Sequence, residues 1–108
     1  MLNINIMKAV ELEMNIKDLD KEIDKAITEV DIQTIFVDAK YSGDKLRDMN
    51  LMTIITEEMV KLTKLITRLK DIETEAIKIN DNTIYFKCEN RIAKLINIME
   101  VLKNKYLL

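Results

Sequence analysis

Three stretches of this chain carry apolar residues at alternating spacings of three and four, and this 3.5-residue repeat constrains the fold more than any other feature. The first stretch runs from Ala9 to Val30, the second from Met52 to Leu69, and the third from Tyr85 to Tyr106. Such a repeat places every side chain of a stretch on one seam of an α-helix, and each seam must be buried against another helix. We therefore expect an all-α protein.

Residues that break helices are almost missing: the 108 residues include one Gly and no Pro. The clearest turn is Tyr41–Asp44, where Gly43 can end one helix and Asp44 can cap the next, and a second turn lies at Asn80–Asn82. We predict one domain over residues 1–108, with helix 1 at about 7–40, helix 2 at about 45–79 and helix 3 at about 83–105. Two short connections force neighbouring helices to run antiparallel, which predicts an up-down-up three-helix bundle with coiled-coil-like packing.

Two segments allow other interpretations. Residues 1–6 alternate between apolar and polar side chains, as in a short extended arm or a frayed helix start. Residues 32–37 are rich in β-branched side chains and could form a strand that pairs with residues 83–86. We favour a continuous helix to about Lys40, because nothing in the segment breaks a helix and a lone strand has no clear partner.

Charge is distributed unevenly, although the net charge of −2 is too small to indicate a nucleic-acid or acidic partner. Residues 1–31 carry 4 basic and 8 acidic side chains, whereas residues 82–108 carry 5 basic and 2 acidic side chains. Opposite charges at the two ends favour first and third helices that lie side by side. Helix 2 has apolar side chains on a wider face than a simple seam, which suits the central helix of three.

The sequence offers little catalytic chemistry. It has no His, one Cys and one Gly, which excludes the commonest general base, thiolate metal clusters and Gly-rich phosphate loops. We therefore predict no enzyme activity, with no catalytic, cofactor-binding or metal-binding residues and no small-molecule substrate. Glu73 falls on the second seam, either as a residue near an open helix end or as a buried functional acid. Cys88 falls on the third seam as a small buried side chain, with a reactive thiol or a disulfide between two copies as alternatives.

The seams are therefore the predicted working surface of a protein–protein interaction protein, such as a structural subunit, an adaptor or a small chaperone. Its partners would be other proteins, including further copies of itself in a homo-oligomer. The seam residues that we expect to matter most are Ile16, Leu19, Ile23, Leu62, Ile66, Leu69, Ile92, Leu95 and Met99. The sequence leaves open whether all three seams close within one chain or whether two copies share them.

A nucleic-acid-associated regulator is the alternative function. Lys87, Arg91 and Lys94 form a basic row on helix 3 and are candidate phosphate contacts, and a second row lies on helix 2. No helix-turn-helix spacing or exposed aromatic platform accompanies these rows, so nucleic-acid binding is not favoured.

A further alternative comes from two short motifs, Tyr41-Ser-Gly43 in the first turn and Tyr85-x-x-x-Glu89 on helix 3. They resemble the Trp-X-Gly turn and the aromatic-x-x-x-acid export signal of the secreted Trp-X-Gly helical hairpins. The resemblance implies secretion, but this sequence lacks the Trp and continues with a full heptad helix after the signal.

The sequence shows neither a recognisable Sec secretion signal nor a membrane-spanning segment. It begins without the basic segment and long apolar segment of a Sec signal, and no apolar run approaches the length of a membrane span. We expect a cytoplasmic protein with no membrane partner, with the virion or a host cell as alternative locations.

Overall fold

A computed structural model describes residues 2–40 and 48–107 of the chain. These residues form three helices: α1 (Leu2–Lys40), α2 (Met49–Lys78) and α3 (Asn82–Leu102), which continues as a π-helical segment at Lys103–Leu107. The described part contains no strand, so the prediction of an all-α protein is confirmed. The molecule is elongated, with extents of 58 × 21 × 17 Å. None of its described helices is both long enough and apolar enough to cross a membrane.

Helix α1 begins at Leu2, five residues before the predicted start near Met7. Residues 2–6 are therefore helical and do not form an extended arm. Residues 32–37 are helical as well, so the alternative of a strand pairing with residues 83–86 is wrong. These segments contain no Pro or Gly to interrupt a helix, and β-branching alone does not stop one.

Helix α2 begins at Met49, four residues after the predicted start at about Lys45, because Asp48 provides the cap. Asp48 has an extended backbone, and its Oδ1 accepts hydrogen bonds from the backbone N–H groups of Asn50 at 2.8 Å and Leu51 at 3.2 Å. These bonds satisfy donors that have no partner inside the helix. The predicted first turn at residues 41–44 lies outside the described residues.

The predicted second turn is confirmed between α2 and α3. Asn80 adopts a left-handed backbone with φ of 56°, a conformation that Asn tolerates better than most residues. The backbone N–H of Asp81 donates to the carbonyl of Ala76 at 2.9 Å and closes the end of α2. The side chain of Asp81 then caps α3 by accepting a hydrogen bond from the N–H of Ile84 at 3.0 Å.

The core lies between the three helices and contains most residues of the predicted seams. Helix α2 packs closely against both α1 and α3, whereas α1 and α3 approach each other less, in agreement with a central position for α2. Large side chains that are fully buried come from every helix: Val37 on α1, Ile55, Leu62 and Leu69 on α2, and Ile84 and Leu95 on α3.

Ion pairs link α1 to both other helices. The pairs to α2 are Lys8–Glu75 at 3.8 Å, Glu22–Arg68 at 2.7 Å and Glu29–Lys61 at 3.2 Å. The pairs to α3 are Glu13–Lys87 at 2.8 Å and Asp20–Arg91 at 2.6 Å, and Asp38 pairs with Lys105 of the π-helical segment at 2.9 Å. As residue numbers rise along α1, the partner numbers fall along α2 and rise along α3. These pairs join acidic residues of α1 to basic residues of α3 and of the segment that follows it.

Candidate interaction surface

The nine predicted seam residues all belong to the core of a single chain. Eight are buried: Ile16, Leu19, Ile23, Leu62, Ile66, Leu69, Ile92 and Leu95. The ninth, Met99, packs against the core while partly exposed, and its sulfur accepts a hydrogen bond from the Thr63 hydroxyl at 3.7 Å. The three seams therefore meet one another within the chain. A role for the same side chains in contacting a second protein stays a prediction.

The structure directs two of the three candidate phosphate contacts toward carboxylates of α1. The ammonium group of Lys87 donates to both oxygens of Glu13 at 2.8 Å. Arg91 donates to both oxygens of Asp20, and these hydrogen bonds hold the pKa of the Asp20 carboxyl below its usual value. Lys94 is exposed. Since a bound phosphate would have to displace two carboxylates, this row is poorly suited to a nucleic-acid backbone.

Glu73 on α2 is a buried acid, so the interpretation of this residue as lying at an open helix end is wrong. It is 8% exposed, and its Oε2 has no hydrogen-bond partner in the described part of the chain. Burial raises the pKa of the Glu73 carboxyl to about 7, and a hydrogen bond and negative charge from Glu89 on α3 add to the rise. At neutral pH the Glu73 carboxyl is therefore protonated for part of the time.

Glu58 is the second buried acid of α2, and sequence reasoning missed it. Its carboxylate lies 3.3 Å from the ammonium group of Lys61, which also pairs with Glu29 of α1. The signal was present in the sequence: Leu51, Glu58 and Leu65 lie seven residues apart on the widened face of α2. Within the described residues, no group of three or more His, Cys, Asp or Glu side chains is arranged to hold a metal ion.

Cys88 is fully buried on α3. Burial, followed by the negative charge of Glu73, raises the pKa of its thiol to about 11. A thiol that is both inaccessible and protonated is a weak nucleophile, so this environment fits the interpretation of Cys88 as a small core side chain.

The face of α1 that points away from α2 and α3 carries exposed apolar side chains at both of its ends. The N-terminal cluster consists of Ile6, Met7, Val10 and Met14, which are between 54% and 70% exposed. The C-terminal cluster consists of Ile32, Ile35, Phe36 and Ala39, of which Ile35 is 70% exposed. Sequence reasoning missed both clusters, because it followed only the buried seam of helix 1. The signal was a second set of apolar residues at spacings of three and four.

A charged segment separates the two clusters on the same face. It comprises Lys17, Asp18, Lys21, Asp24 and Lys25, all of which are exposed. In the described part of the chain, none of these five side chains forms an ion pair, whereas the acids at the two margins of α1 pair with α2 or α3. We call the two clusters and this segment together the outward face of α1. It is an apolar surface with unpaired charges at its centre.

Comparisons of the chain with protein-family models, with curated proteins and with solved structures find no match.

Proposed function

We propose that this chain is a non-catalytic protein–protein interaction protein of the cytoplasm, whose heptad seams build an antiparallel, up-down-up three-helix bundle with coiled-coil-like packing. The order of the ion pairs supports the topology, since partner numbers fall along α2 and rise along α3. The burial of residues spaced by three and four on all three helices supports the packing.

The exposed outward face of α1 is the observation that carries the function. Eight apolar side chains are exposed on one side of a single helix while the seams are already used to build the core. Contiguous apolar patches on a folded chain mark surfaces that meet another protein, because leaving them in water is unfavourable. The seams thus form the core of the bundle, and the outward face of α1 is the surface that a partner would contact.

The alternative functions have less support. A nucleic-acid regulator would have to act through a basic row whose Lys87 and Arg91 are engaged by Glu13 and Asp20. The resemblance to secreted Trp-X-Gly hairpins rests partly on residues 41–43, which lie outside the described residues. Its second motif places Glu89 beside the buried Glu73, whose pKa it helps to raise.

Site-specific photo-crosslinking in living cells tests the proposal. A benzophenone amino acid replaces Val10 on the outward face, and in a matched control it replaces Val101 on α3. The two residues have the same side chain and are 54% and 55% exposed. We expect protein adducts, to this chain or to another, from position 10 and far fewer from position 101. Equal yields at the two positions would overturn the proposal.

A further inference from the structure

We propose that the partner of the outward face of α1 is the same face of a second copy, docked antiparallel about a two-fold axis that passes beside Lys21. This inference rests on the proposed interaction function and names its partner. In such a pairing, residues of the two copies lie at the same level when their numbers sum to about 42. Each unit of difference in that sum corresponds to a shift of only 1.5 Å along the helix.

The apolar clusters match in this register. Val10 of one copy lies level with Ile32 of the other, Ile6 lies near Ile35, and Met7 lies near Phe36. An antiparallel two-fold axis brings the same margin of each helix together, and these pairs obey that rule: Ile6 and Ile35 occupy one margin of the face, and Met7 and Phe36 the other. The N-terminal cluster of each copy therefore covers the C-terminal cluster of its partner, at both ends of the interface.

The charged segment matches in the same register. Lys17 lies near Asp24 of the second copy on one margin, and Asp18 lies near Lys25 of the second copy on the other margin. The two-fold axis repeats both contacts, which gives four ion pairs between the copies from side chains that form none within their own described chain. Opposite charges that meet in only one register fix the orientation of the helices.

Lys21 is the like-charge contact at the axis itself, since it lies opposite its own copy. Lys17 and Lys25 of the two copies are also level, as are Asp18 and Asp24, but these like charges are on opposite margins of the face. The long side chain of Lys21 can direct the ammonium group outward toward water. The acids at positions 18 and 24, one helical turn away on either side, further reduce the repulsion. The axis therefore carries a small electrostatic cost, whereas both apolar ends and all four flanking ion pairs favour association.

The area of the face agrees with a dimer that dissociates on dilution. From Ile6 to Ala39 the face is about 50 Å long, and a helix is about 10–12 Å wide, so docking would bury roughly 600 Å² per copy. The total is near the lower end of the range found for specific interfaces, about 1,200–2,000 Å². We expect a monomer–dimer equilibrium that shifts toward monomer as salt screens the exposed pairs.

A charge-swap experiment tests the register. In the variant K17E/K25E all four pairs become acid against acid, and in D18K/D24K all four become base against base. We expect each variant alone to have a dimer dissociation constant at least tenfold above that of the unaltered chain. Mixing the two should restore association as a heterodimer, measured by sedimentation velocity. The control pair K64E and K94E changes exposed lysines on α2 and α3 and should leave the dimer intact.

Cysteine crosslinking tests the orientation independently. Under mild oxidation, Lys21→Cys should form a disulfide-linked dimer with itself, because it lies on the axis. Val10→Cys should crosslink efficiently only when it is mixed with Ile32→Cys. Self-crosslinking of Val10→Cys would indicate parallel helices and overturn the inference.

A chain that stays monomeric at millimolar concentration would also overturn this inference. Adducts from position 10 to a different protein would then leave the proposed function standing. If position 10 and position 101 yielded no more than equal adducts, the proposed function would fail on its own test.

Discussion

Arg91 on α3 holds Asp20 on α1 with two parallel hydrogen bonds: Nε donates to Oδ1 at 2.6 Å, and Nη2 donates to Oδ2 at 2.9 Å. The remaining amino group of Arg91 donates to the backbone carbonyl of Lys87 at 2.8 Å, which fixes the guanidinium on its own helix. The guanidinium is thus held to its own helix by one amino group and binds the Asp20 carboxylate through its other two nitrogens. This contact is the most constrained ion pair between α1 and α3.

Replacing Arg91 with Lys should lose most of this contact, because an ammonium group cannot present two parallel donors to one carboxylate. We expect a double-mutant cycle of Arg91→Ala and Asp20→Ala, followed by urea unfolding, to give a coupling free energy of about 1 kcal/mol, since both side chains are partly exposed. The matched cycle of Arg68 and Glu22, a more exposed pair with a single close contact at 2.7 Å, should give less. Equal coupling in the two cycles would contradict the importance of the bidentate geometry.

The buried Glu73 should make the protein more stable in mild acid than in mild base. Its pKa is raised to about 7 in the fold from an ordinary value of 4.5, so between these values the folded chain binds more protons than the unfolded chain. The free energy of unfolding should therefore fall as the pH rises through this window, by at most about 3 kcal/mol. The groups facing the carboxyl are Glu89, Cys88 and Tyr85, with Lys70 on its own helix opposing the rise.

Urea midpoints measured from about pH 5 to about pH 8 check this prediction. Glu73→Gln should remove most of the slope, because the amide cannot ionise and the neighbouring carboxyl then lacks a charged partner. Glu57→Gln, an exposed change on the same helix, is the control and should keep the slope. The carboxyls of Asp20, Glu22 and Asp38 have lowered pKa values, so the stability that they provide is lost only at lower pH. A flat profile in the unaltered chain would show that Glu73 is not held in a desolvated site.

Most residues of the predicted seams are buried, because a 3.5-residue period determines which side of a helix is apolar before any neighbour is known. The opposite charges of α1 and α3 separately predicted that these helices lie side by side. Neither pattern could choose the individual ion-pair partners. Glu57 lies four residues before Lys61 and Asp71 three residues after Arg68, yet Lys61 pairs with Glu29 and Glu58, and Arg68 pairs with Glu22. Such choices depend on how far each helix slides along its neighbour, which local sequence does not specify.

The candidate site was harder to predict than the core. The outward face of α1 begins at Ile6, within the residues that alternate between apolar and polar character, and their helical conformation is decided by the absence of breakers rather than by periodicity. Once α1 is known to be one helix from Leu2 to Lys40, the two exposed apolar clusters fall on one side of it. The second periodicity was visible in the sequence, but only the structure shows that α2 and α3 leave this side uncovered.

Substitutions at Leu62 test the packing of the core between the three helices. This residue is fully buried at the centre of α2, so Leu62→Ala should lower the free energy of unfolding by about 2–5 kcal/mol. Leu62→Asp would bury an unpaired carboxylate and should abolish cooperative unfolding in circular dichroism. Val60→Asp, two residues away on the same helix and 47% exposed, should change the stability by no more than about 0.5 kcal/mol. If Leu62→Asp behaved like Val60→Asp, the assignment of Leu62 to the core would be wrong.

Asp48 tests where α2 begins. Asp48→Ala removes the acceptor of two backbone hydrogen bonds and should cost about 1 kcal/mol, whereas Asp48→Asn should retain most of the cap. Asp71→Ala, an exposed change in the interior of the same helix, is the control for loss of charge and should not destabilise the chain. Thermal unfolding followed at 222 nm separates the variants. A helix that began several residues earlier would place Asp48 inside its first turn, and the Ala variant would then be neutral or stabilising.

Cys88 should react with thiol reagents only when the core opens. At pH 8 a thiol with a pKa of about 11 is roughly a hundredfold less ionised than one at its ordinary value of 9.0, and complete burial slows its reaction further. Labelling with a chromogenic disulfide should therefore be far slower in the native chain than in urea, and its rate should follow the local opening of α3. An exposed cysteine in a Lys64→Cys variant, on α2 and away from the outward face of α1, should label rapidly under the same conditions and is the internal control. Equally fast labelling of Cys88 would place it at the surface, and the third seam would then have to be reassigned.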